Sequence, residues 1–176
     1  IRFNHRGILD AFAPWLQGAA NHARFMQLID KADKIGFEGV LKEITAENLP
    51  NGAEAWTFLH GVSQLSDTHE KIAALQNQPN ISNESLTKGL EETKALLALL
   101  QNISLSQNLT LDVTLARGLS YYTGMVMEVV ANDTRIPADF RIGSIGGGGR
   151  YDNLTGVFGL KDVTGVGISF GLDRIY

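Results

Sequence analysis

The spacing of the apolar residues changes once along the chain, near residue 105. Before that point they recur every three or four positions, as on the buried side of a helix. These stripes are Ile8, Phe12 and Trp15; Phe25, Leu28, Ile29 and Ala32; Val40, Leu41 and Ile44; Trp56, Leu59 and Val62; and Leu86, Leu90, Ala95, Leu97 and Leu100. The pattern predicts a helical bundle with breaks at Gly36 and over residues 49–52 and 76–80. The last helix is predicted to begin at Asn83 or Ser85.

After residue 105 apolar and polar residues alternate, which is typical of strands with one buried side. The alternation is clearest over residues 109–116, and further strands are predicted over 123–130, 141–145 and 165–170. Residues 1–4 have the pattern of a strand tail. Because short turns join the strands after residue 105, we expect an antiparallel sheet and an α+β fold.

Composition narrows the class of protein. The chain has 176 residues, of which 44% are hydrophobic and 19% charged, as in folded globular domains. It contains no cysteine, which excludes disulfides, thiolate zinc sites and a cysteine nucleophile. The net charge of -4 argues against nucleic-acid binding through bulk charge. Neither a signal peptide nor a membrane-length apolar run is present, so we predict a cytoplasmic protein without a membrane partner.

The four histidines lack the spacing of metal ligands, and we predict no metal site. All of them lie in the predicted helical part, where we interpret them as structural or solvated side chains. They are His5, His22, His60 and His69.

Three clusters in the second half combine glycines with an arginine, over residues 115–124, 146–154 and 165–174. Glycine lets the backbone approach a ligand closely, and arginine matches phosphate oxygens with a planar, charged fork. Neighbouring tyrosines can cover a flat ring and bind its polar edge. The clusters indicate a site for a phosphorylated aromatic or heteroaromatic substrate. Two structural alternatives stay open: the four consecutive glycines as a turn or bulged strand end, and the paired tyrosines as sheet core.

The clusters together resemble one enzyme family. Arg-Gly-Leu-Ser-Tyr-Tyr-Thr-Gly at residues 117–124 resembles the first signature peptide of histidyl-tRNA synthetases. Gly-Gly-Gly-Arg-Tyr-Asp-Asn-Leu at residues 147–154 resembles the second, and residues 165–174 are similar to the third motif of class II synthetases. The resemblance is tight from Leu109 onward and rests on position and helicity before it.

The resemblance implies a division of the chain. Residues 1–8 would end a strand of the catalytic core, 9–104 would form the helical insertion domain, and 105–176 would form the second half of the core. The two class II motifs that precede this region, and an anticodon-binding domain, would lie outside the chain. We therefore expect the chain alone to be inactive.

The family activates histidine with ATP, giving histidyl-adenylate, and then transfers histidine to tRNA(His). Mg²⁺ is expected with ATP, the cofactor-like substrate, and the parent protein is expected to be a homodimer. The implied roles are catalysis at the α-phosphate by Arg117; histidine binding by Tyr122, Tyr151, Gly147, Gly148 and Gly149; and ATP binding by Arg174, Gly165, Gly167 and Gly171. Asp152 would brace Arg150.

One residue departs from the family pattern, and two other functions compete. Ser120 stands where the family usually has aspartate, and we expect its hydroxyl to replace the local hydrogen bond. One alternative is a non-catalytic regulatory paralogue that serves an ATP phosphoribosyltransferase. Such proteins typically lack the insertion domain and erode the first signature, whereas Arg117, Tyr122 and the helical block are present here. The other is a module that only contacts tRNA.

Overall fold

The computed structural model describes residues 1–103, 109–116, 122–130, 143–160 and 162–175, and shows an α+β fold. The strands are β1 (Arg2–His5), β2 (Thr110–Leu111), β3 (Met125–Val130), β4 (Ser144–Tyr151) and β5 (Gly165–Phe170). The helices are α1 (Arg6–Asp10), α2 (Ala19–Ile29), α3 (Ala32–Ala46), α4 (Gly52–Gln64), α5 (Thr68–Gln76) and α6 (Glu84–Leu100). Short 3₁₀ helices span Pro79–Ile81, Leu154–Phe158 and Leu172–Arg174.

The helix boundaries follow local signals. The Asn83 side chain accepts a hydrogen bond from the Leu86 amide, 3.2 Å away, so the first of the two predicted caps begins α6. Gly36 has a φ of 68° and interrupts α3, which confirms the predicted break. Before α4, Asn51 takes a left-handed conformation, with a φ of 54°. Asp67 caps α5, a helix for which no apolar stripe was identified, by accepting from the amides of His69 and Glu70.

Within the described residues the strands form one sheet in the order β2-β1-β3-β4-β5. The pairs β1–β3, β3–β4 and β4–β5 are antiparallel, as predicted, whereas β1 and β2 are parallel. A parallel pair needs a long crossover, and here the whole helical block lies between the two strands. The antiparallel prediction is wrong for β1 and β2. It rested on the short turns between the strands after residue 105, and these turns do not determine how a strand pairs with β1.

Three predicted strands have different limits. The alternation over residues 109–116 forms a ladder only at β2, and beyond it the Asn4 side-chain amide donates to the carbonyl oxygens of Val113 and Leu115, each at 3.1 Å. The alternation nonetheless places Val113 and Leu115 in the interior. The strand predicted over 123–130 begins at Met125. Of the strand predicted over 141–145, residues 141 and 142 lie outside the described residues; β4 spans Ser144–Tyr151 and contains all four glycines, so the glycine run is neither a turn nor a strand end.

The helical block and the edge of the sheet share one hydrophobic core. Phe3 of β1 and Leu111 of β2 belong to the same buried cluster as Phe25 and Trp56 from the helices. The predicted stripes are buried in α2, α3 and α4 except at Ala32 and Leu41, which are partly buried. The stripe on α6 is buried only at Leu86 and Leu90, while Ala95 is exposed. In the part of the chain that the structure describes, no helix is long and apolar enough to cross a membrane.

The backbones of α1 and α6 cross closely at Gly7 and Gly89. A Cβ atom at Gly7 would lie 2.6 Å from the carbonyl oxygen of Ser85 and 3.2 Å from the Cα of Gly89. A Cβ at Gly89 would lie 2.9 Å from the amide nitrogen of Ile8. Because the clashing atoms belong to the backbone, neither position can accept a side chain without moving a helix.

Gly89→Ala should therefore destabilise the protein, whereas Gly61→Ala in α4 should not. Forcing a methyl group into packed backbone typically costs about 1–3 kcal/mol. No heavy atom lies within 4 Å of a Cβ built at Gly61, so alanine there should stabilise the helix by about 0.5–1 kcal/mol. Urea unfolding of both variants measures the difference. Equal free energies of unfolding would contradict the crossing.

Lys71 makes a second connection, between α5 and β2. It is 4% exposed, and its ammonium donates to the carbonyl oxygen of Leu111, 2.7 Å away. Burial lowers the pKa of Lys71 below its ordinary value of 10.5, and the Asp112 carboxylate partly opposes that shift.

The stability of the wild type relative to Lys71→Met should therefore rise with pH. Between the lowered pKa of folded Lys71 and the ordinary value of 10.5, the unfolded lysine binds more protons than the folded one. Urea unfolding of both proteins from neutral pH to 10.5 tests this window. A difference that falls with pH would mean that attraction to Asp112 outweighs burial.

Candidate active site

Two tyrosine rings cover the glycines of β4 and β5. The ring of Tyr122 lies 2.9 Å from where a Cβ of Gly149 would be. The ring of Tyr151 lies 2.2 Å from a Cβ position at Gly165 and 3.4 Å from one at Gly167. Side chains at Gly149 and Gly165 would therefore displace the rings, so the glycines and tyrosines of the clusters fit together sterically.

These residues share one face of the sheet, called here the glycine face: Gly147, Gly149 and Tyr151 of β4, with their cross-strand partners Ser169, Gly167 and Gly165 of β5. The rings cover Gly149, Gly165 and Gly167, whereas a Cβ at Gly147 would meet only the carbonyl oxygen of Met127, at 3.4 Å, so a ligand can reach the backbone at Gly147. The tyrosines add flat rings with polar tips at its margin. This arrangement suits a flat ligand with hydrogen-bonding edges.

Gly148 lies on the opposite face of β4. A Cβ there would be 2.1 Å from the carbonyl oxygen of Gly167 and 2.8 Å from the Cα of Ile168. Gly148 therefore permits the close pairing of β4 with β5. Its predicted contact with histidine stays a prediction.

Arg150, Asp152 and Thr123 form a network at the end of β4. Arg150 Nε donates to Asp152 Oδ1 at 3.0 Å, and the Thr123 hydroxyl donates to Asp152 Oδ2 at 2.9 Å. In the backbone, the Thr123 amide donates to the Arg150 carbonyl at 2.9 Å. The hydrogen bond from Arg150 lowers the pKa of Asp152, and the same bond raises the pKa of Arg150. The predicted bracing of Arg150 by Asp152 is thus observed, and it joins the segment after Tyr122 to the end of β4.

Glu92 on α6 extends this network into the helical block. Its Oε2 lies 3.6 Å from Arg150 Nη1 and 3.0 Å from Nε2 of His5. Neither Glu92 nor His5 was predicted to belong to the site. The sequence carries no signal for this contact, because 58 positions separate Glu92 from Arg150 and no motif contains both residues.

Arg174 is not brought next to the tyrosines. Its Nη1 donates to the carbonyl oxygen of Ser144 at 2.6 Å, where β4 begins. Tyr151 ends that strand, roughly 23 Å away at about 3.3 Å per residue. Gly171 lies beside Arg174, since a Cβ there would be 3.3 Å from Arg174 Cδ. Arg174 and Gly171 therefore lie at one end of β4, and both tyrosines lie near the other end with Gly149, Gly165 and Gly167.

Arg117 and Ser120 lie outside the described residues, so their predicted roles stay predictions. Among the residues that the structure describes, no group of three or more His, Asp or Glu side chains could hold a metal ion.

A family model described as histidyl-tRNA synthetase matches residues 1–175. The chain belongs to the histidyl-tRNA synthetase family. Among curated relatives, the histidine–tRNA ligase of Bacteroides fragilis (strain ATCC 25285) is 46% identical over 177 residues, which cover 100% of this chain and 37% of the relative. The histidine–tRNA ligase of Christiangramia forsetii is 44% identical over 178 residues, again covering 100% of this chain and 37% of the relative. The chain thus spans little more than a third of these relatives.

Solved structures agree in fold. The histidyl-tRNA synthetase of Nostoc sp. PCC 7120 superposes with a TM-score of 0.80 at 29% identity, over 99% of this chain and 40% of that one. A Bacillus halodurans protein described as an ATP phosphoribosyltransferase regulatory subunit/histidyl-tRNA synthetase has a TM-score of 0.73 at 22% identity, over 98% of this chain and 42% of that one. At that identity the second likeness shows the fold alone.

Gly165→Ala should move the Tyr151 ring, because the new Cβ would fall 2.2 Å from its Cε2. Gly156→Ala is the matched control, since no heavy atom lies within 4 Å of a Cβ at that position. Fluorine NMR of 3-fluorotyrosine-labelled protein should show a shifted Tyr151 resonance in the first variant only. An unchanged resonance in Gly165→Ala would show that the ring does not lie over Gly165.

Proposed function

We propose that this chain is part of a histidine–tRNA ligase. The enzyme would join histidine to ATP, forming histidyl-adenylate and pyrophosphate, and then transfer the histidyl group to tRNA(His). One observation supports this beyond family membership. Gly165 and Gly167, which the resemblance assigns to ATP, lie directly beneath Tyr151, which it assigns to histidine. Both substrates of a condensation would therefore meet on the glycine face.

In the first step, the carboxylate of histidine attacks the α-phosphorus of ATP in line with the departing pyrophosphate. Such reactions depend on positioning and on neutralising charge in the transition state. We assign the charge-stabilising role to Arg117, whose guanidinium would face the α-phosphate oxygens. The rings of Tyr122 and Tyr151 would flank the imidazole.

The nucleotide would lie along β5. Gly165 and Gly167 would contribute to ATP binding by holding the Tyr151 ring close to the strand, Gly171 would leave room beside Arg174, and Arg174 would bind the γ-phosphate at the far end. Mg²⁺ enters this proposal with ATP, as part of the substrate. The described residues offer no cluster that fits the ion, and we assign none of them to it.

The remaining partners follow from the same assignment. The parent protein would be a cytoplasmic homodimer, and the helical block would contact tRNA. Regulatory service to an ATP phosphoribosyltransferase is less well supported, because the curated relatives at 44–46% identity are named histidine–tRNA ligases. The division into residues 1–8, 9–104 and 105–176 remains part of the proposal.

The proposal is tested by histidine-dependent exchange of pyrophosphate into ATP in the full-length protein. Arg117→Ala should lower kcat by about 10²–10³, the usual effect of removing one preorganised donor. Arg117→Lys should recover only part of the loss, since lysine lacks the planar fork. Tyr122→Phe and Tyr151→Phe should instead raise the KM for histidine, because each removes a contact to the substrate ring.

A matched comparison uses other amino acids in place of histidine, which should support no exchange. Exchange that did not depend on histidine would contradict the proposed substrate. A change confined to the KM for histidine in Arg117→Ala would contradict the role of Arg117 and make Arg174 the leading candidate.

A further inference from the structure

The carboxylate of Glu92 stands at a junction between two parts of the chain that are far apart in sequence. One oxygen, Oε2, faces both the imidazole of His5 at 3.0 Å and the guanidinium of Arg150 at 3.6 Å. His5 closes β1, Glu92 lies on α6, and Arg150 lies on β4, one residue before Tyr151. The carboxylate thus connects the helical block to the strand that carries the candidate histidine pocket.

The Glu92 side is held firmly. The crossing at Gly7 and Gly89 fixes α6 against α1, and Glu92 lies one helical turn beyond Gly89. The amide of Gly7 donates to His5 Nδ1 at 3.0 Å, so the proton of a neutral imidazole resides on Nε2 and is donated to Glu92. The His5 ring is buried, with 4% exposed. Backbone packing and a buried donor therefore determine where the negative charge lies.

The Arg150 side leads to both tyrosines. Successive residues of a strand point to opposite faces, so Arg150 lies behind the glycine face on which Tyr151 projects. Arg150 also donates a hydrogen bond to Asp152, and Asp152 accepts one from the hydroxyl of Thr123, the neighbour of Tyr122. The stem of Arg150 lies against Gly124, where a Cβ would be 3.0 Å from Arg150 Cδ. A shift of the guanidinium would therefore move the segments next to both rings.

We propose that Glu92 is a positioning residue of the histidine pocket, which orients Tyr122 and Tyr151 through Arg150, Asp152 and Thr123. This inference rests on the proposed function for the identity of the ligand. Glu92 itself does not touch the substrate. Its side chain is 33% exposed and that of Arg150 is 40% exposed, and ion pairs at such positions contribute little to stability. Its effect should therefore appear in substrate binding, while the protein stays folded.

The test compares Glu92→Gln with Glu91→Gln in the full-length protein. Both variants lose one charge from the same helix, and Glu91 is exposed without an ion-pair partner among the described residues. Glu92→Gln should raise the KM for histidine about 2- to 30-fold, the range in which residues that act through others alter coupling, with kcat nearly unchanged. Glu91→Gln should leave both constants at their wild-type values.

The pathway is tested in an Arg150→Gln background, where Glu92→Gln should have no further effect on the KM for histidine. Equal increases in the two backgrounds would show that Glu92 does not act through Arg150 and would overturn the inference. A wild-type KM in Glu92→Gln would overturn it as well.

Fluorine NMR of 3-fluorotyrosine-labelled protein, with resonances assigned by Tyr→Phe variants, separates this inference from the proposed function. Glu92→Gln should shift the resonances of Tyr122 and Tyr151, and Glu91→Gln should not. Unchanged resonances would overturn the positioning role whatever the enzyme activity. Shifted resonances in a protein without histidine-dependent exchange would support the positioning role and contradict the proposed function alone.

Discussion

The backbone crossing at Gly7 and Gly89 is the contact on which the arrangement of helices and sheet depends. It brings α1, which continues directly from β1, against the first half of α6 at two positions that have no side chain. The helical block, which lies between β1 and β2 in the sequence, is thereby held next to β1. In this arrangement β2 pairs with β1 in parallel. Residues as distant as Phe3, Trp56 and Leu111 can then share one core. A single Cβ at either glycine would separate the elements that the hydrophobic cluster needs together.

The two faces of β4 carry different kinds of residue. Tyr151 and Gly149 lie on the glycine face, where tyrosine rings pack over glycines that carry no side chain. Arg150 lies on the other, against charges from α6 and from the end of the strand. Both arrangements follow from the alternation of side chains between the two faces of a strand. Glycine in the middle of a strand weakens it, so β4 depends on β3 and β5, which hydrogen-bond to it on both sides.

Much of the fold could be predicted wherever a local signal decides the structure. Gly36 breaks α3 because its φ is positive, and Asn83 begins α6 because its side chain caps an amide. The course of the glycine run could not be predicted in this way, since glycine alone favours neither a strand nor a turn, and neighbouring strands settle the matter. The parallel pairing of β1 with β2 and the contact of Glu92 with Arg150 depend on tertiary packing, which short-range periodicity does not encode. The resemblance assigned these tyrosines and glycines to one site, but it did not predict how the rings pack on the glycines.

The distance between Arg174 and Tyr151 follows from the length of β4. It lies where β4 begins, and Tyr151 lies where β4 ends, so a ligand that touches both must extend along the strand. Histidine and ATP joined at the α-phosphate form an extended molecule, with the imidazole at one end and the γ-phosphate at the other. Gly147, which neither ring covers, keeps the middle of the strand free of side-chain bulk between these two ends. The separation of the two groups of residues is therefore compatible with one continuous site, with the reacting phosphorus of the proposed substrates between them.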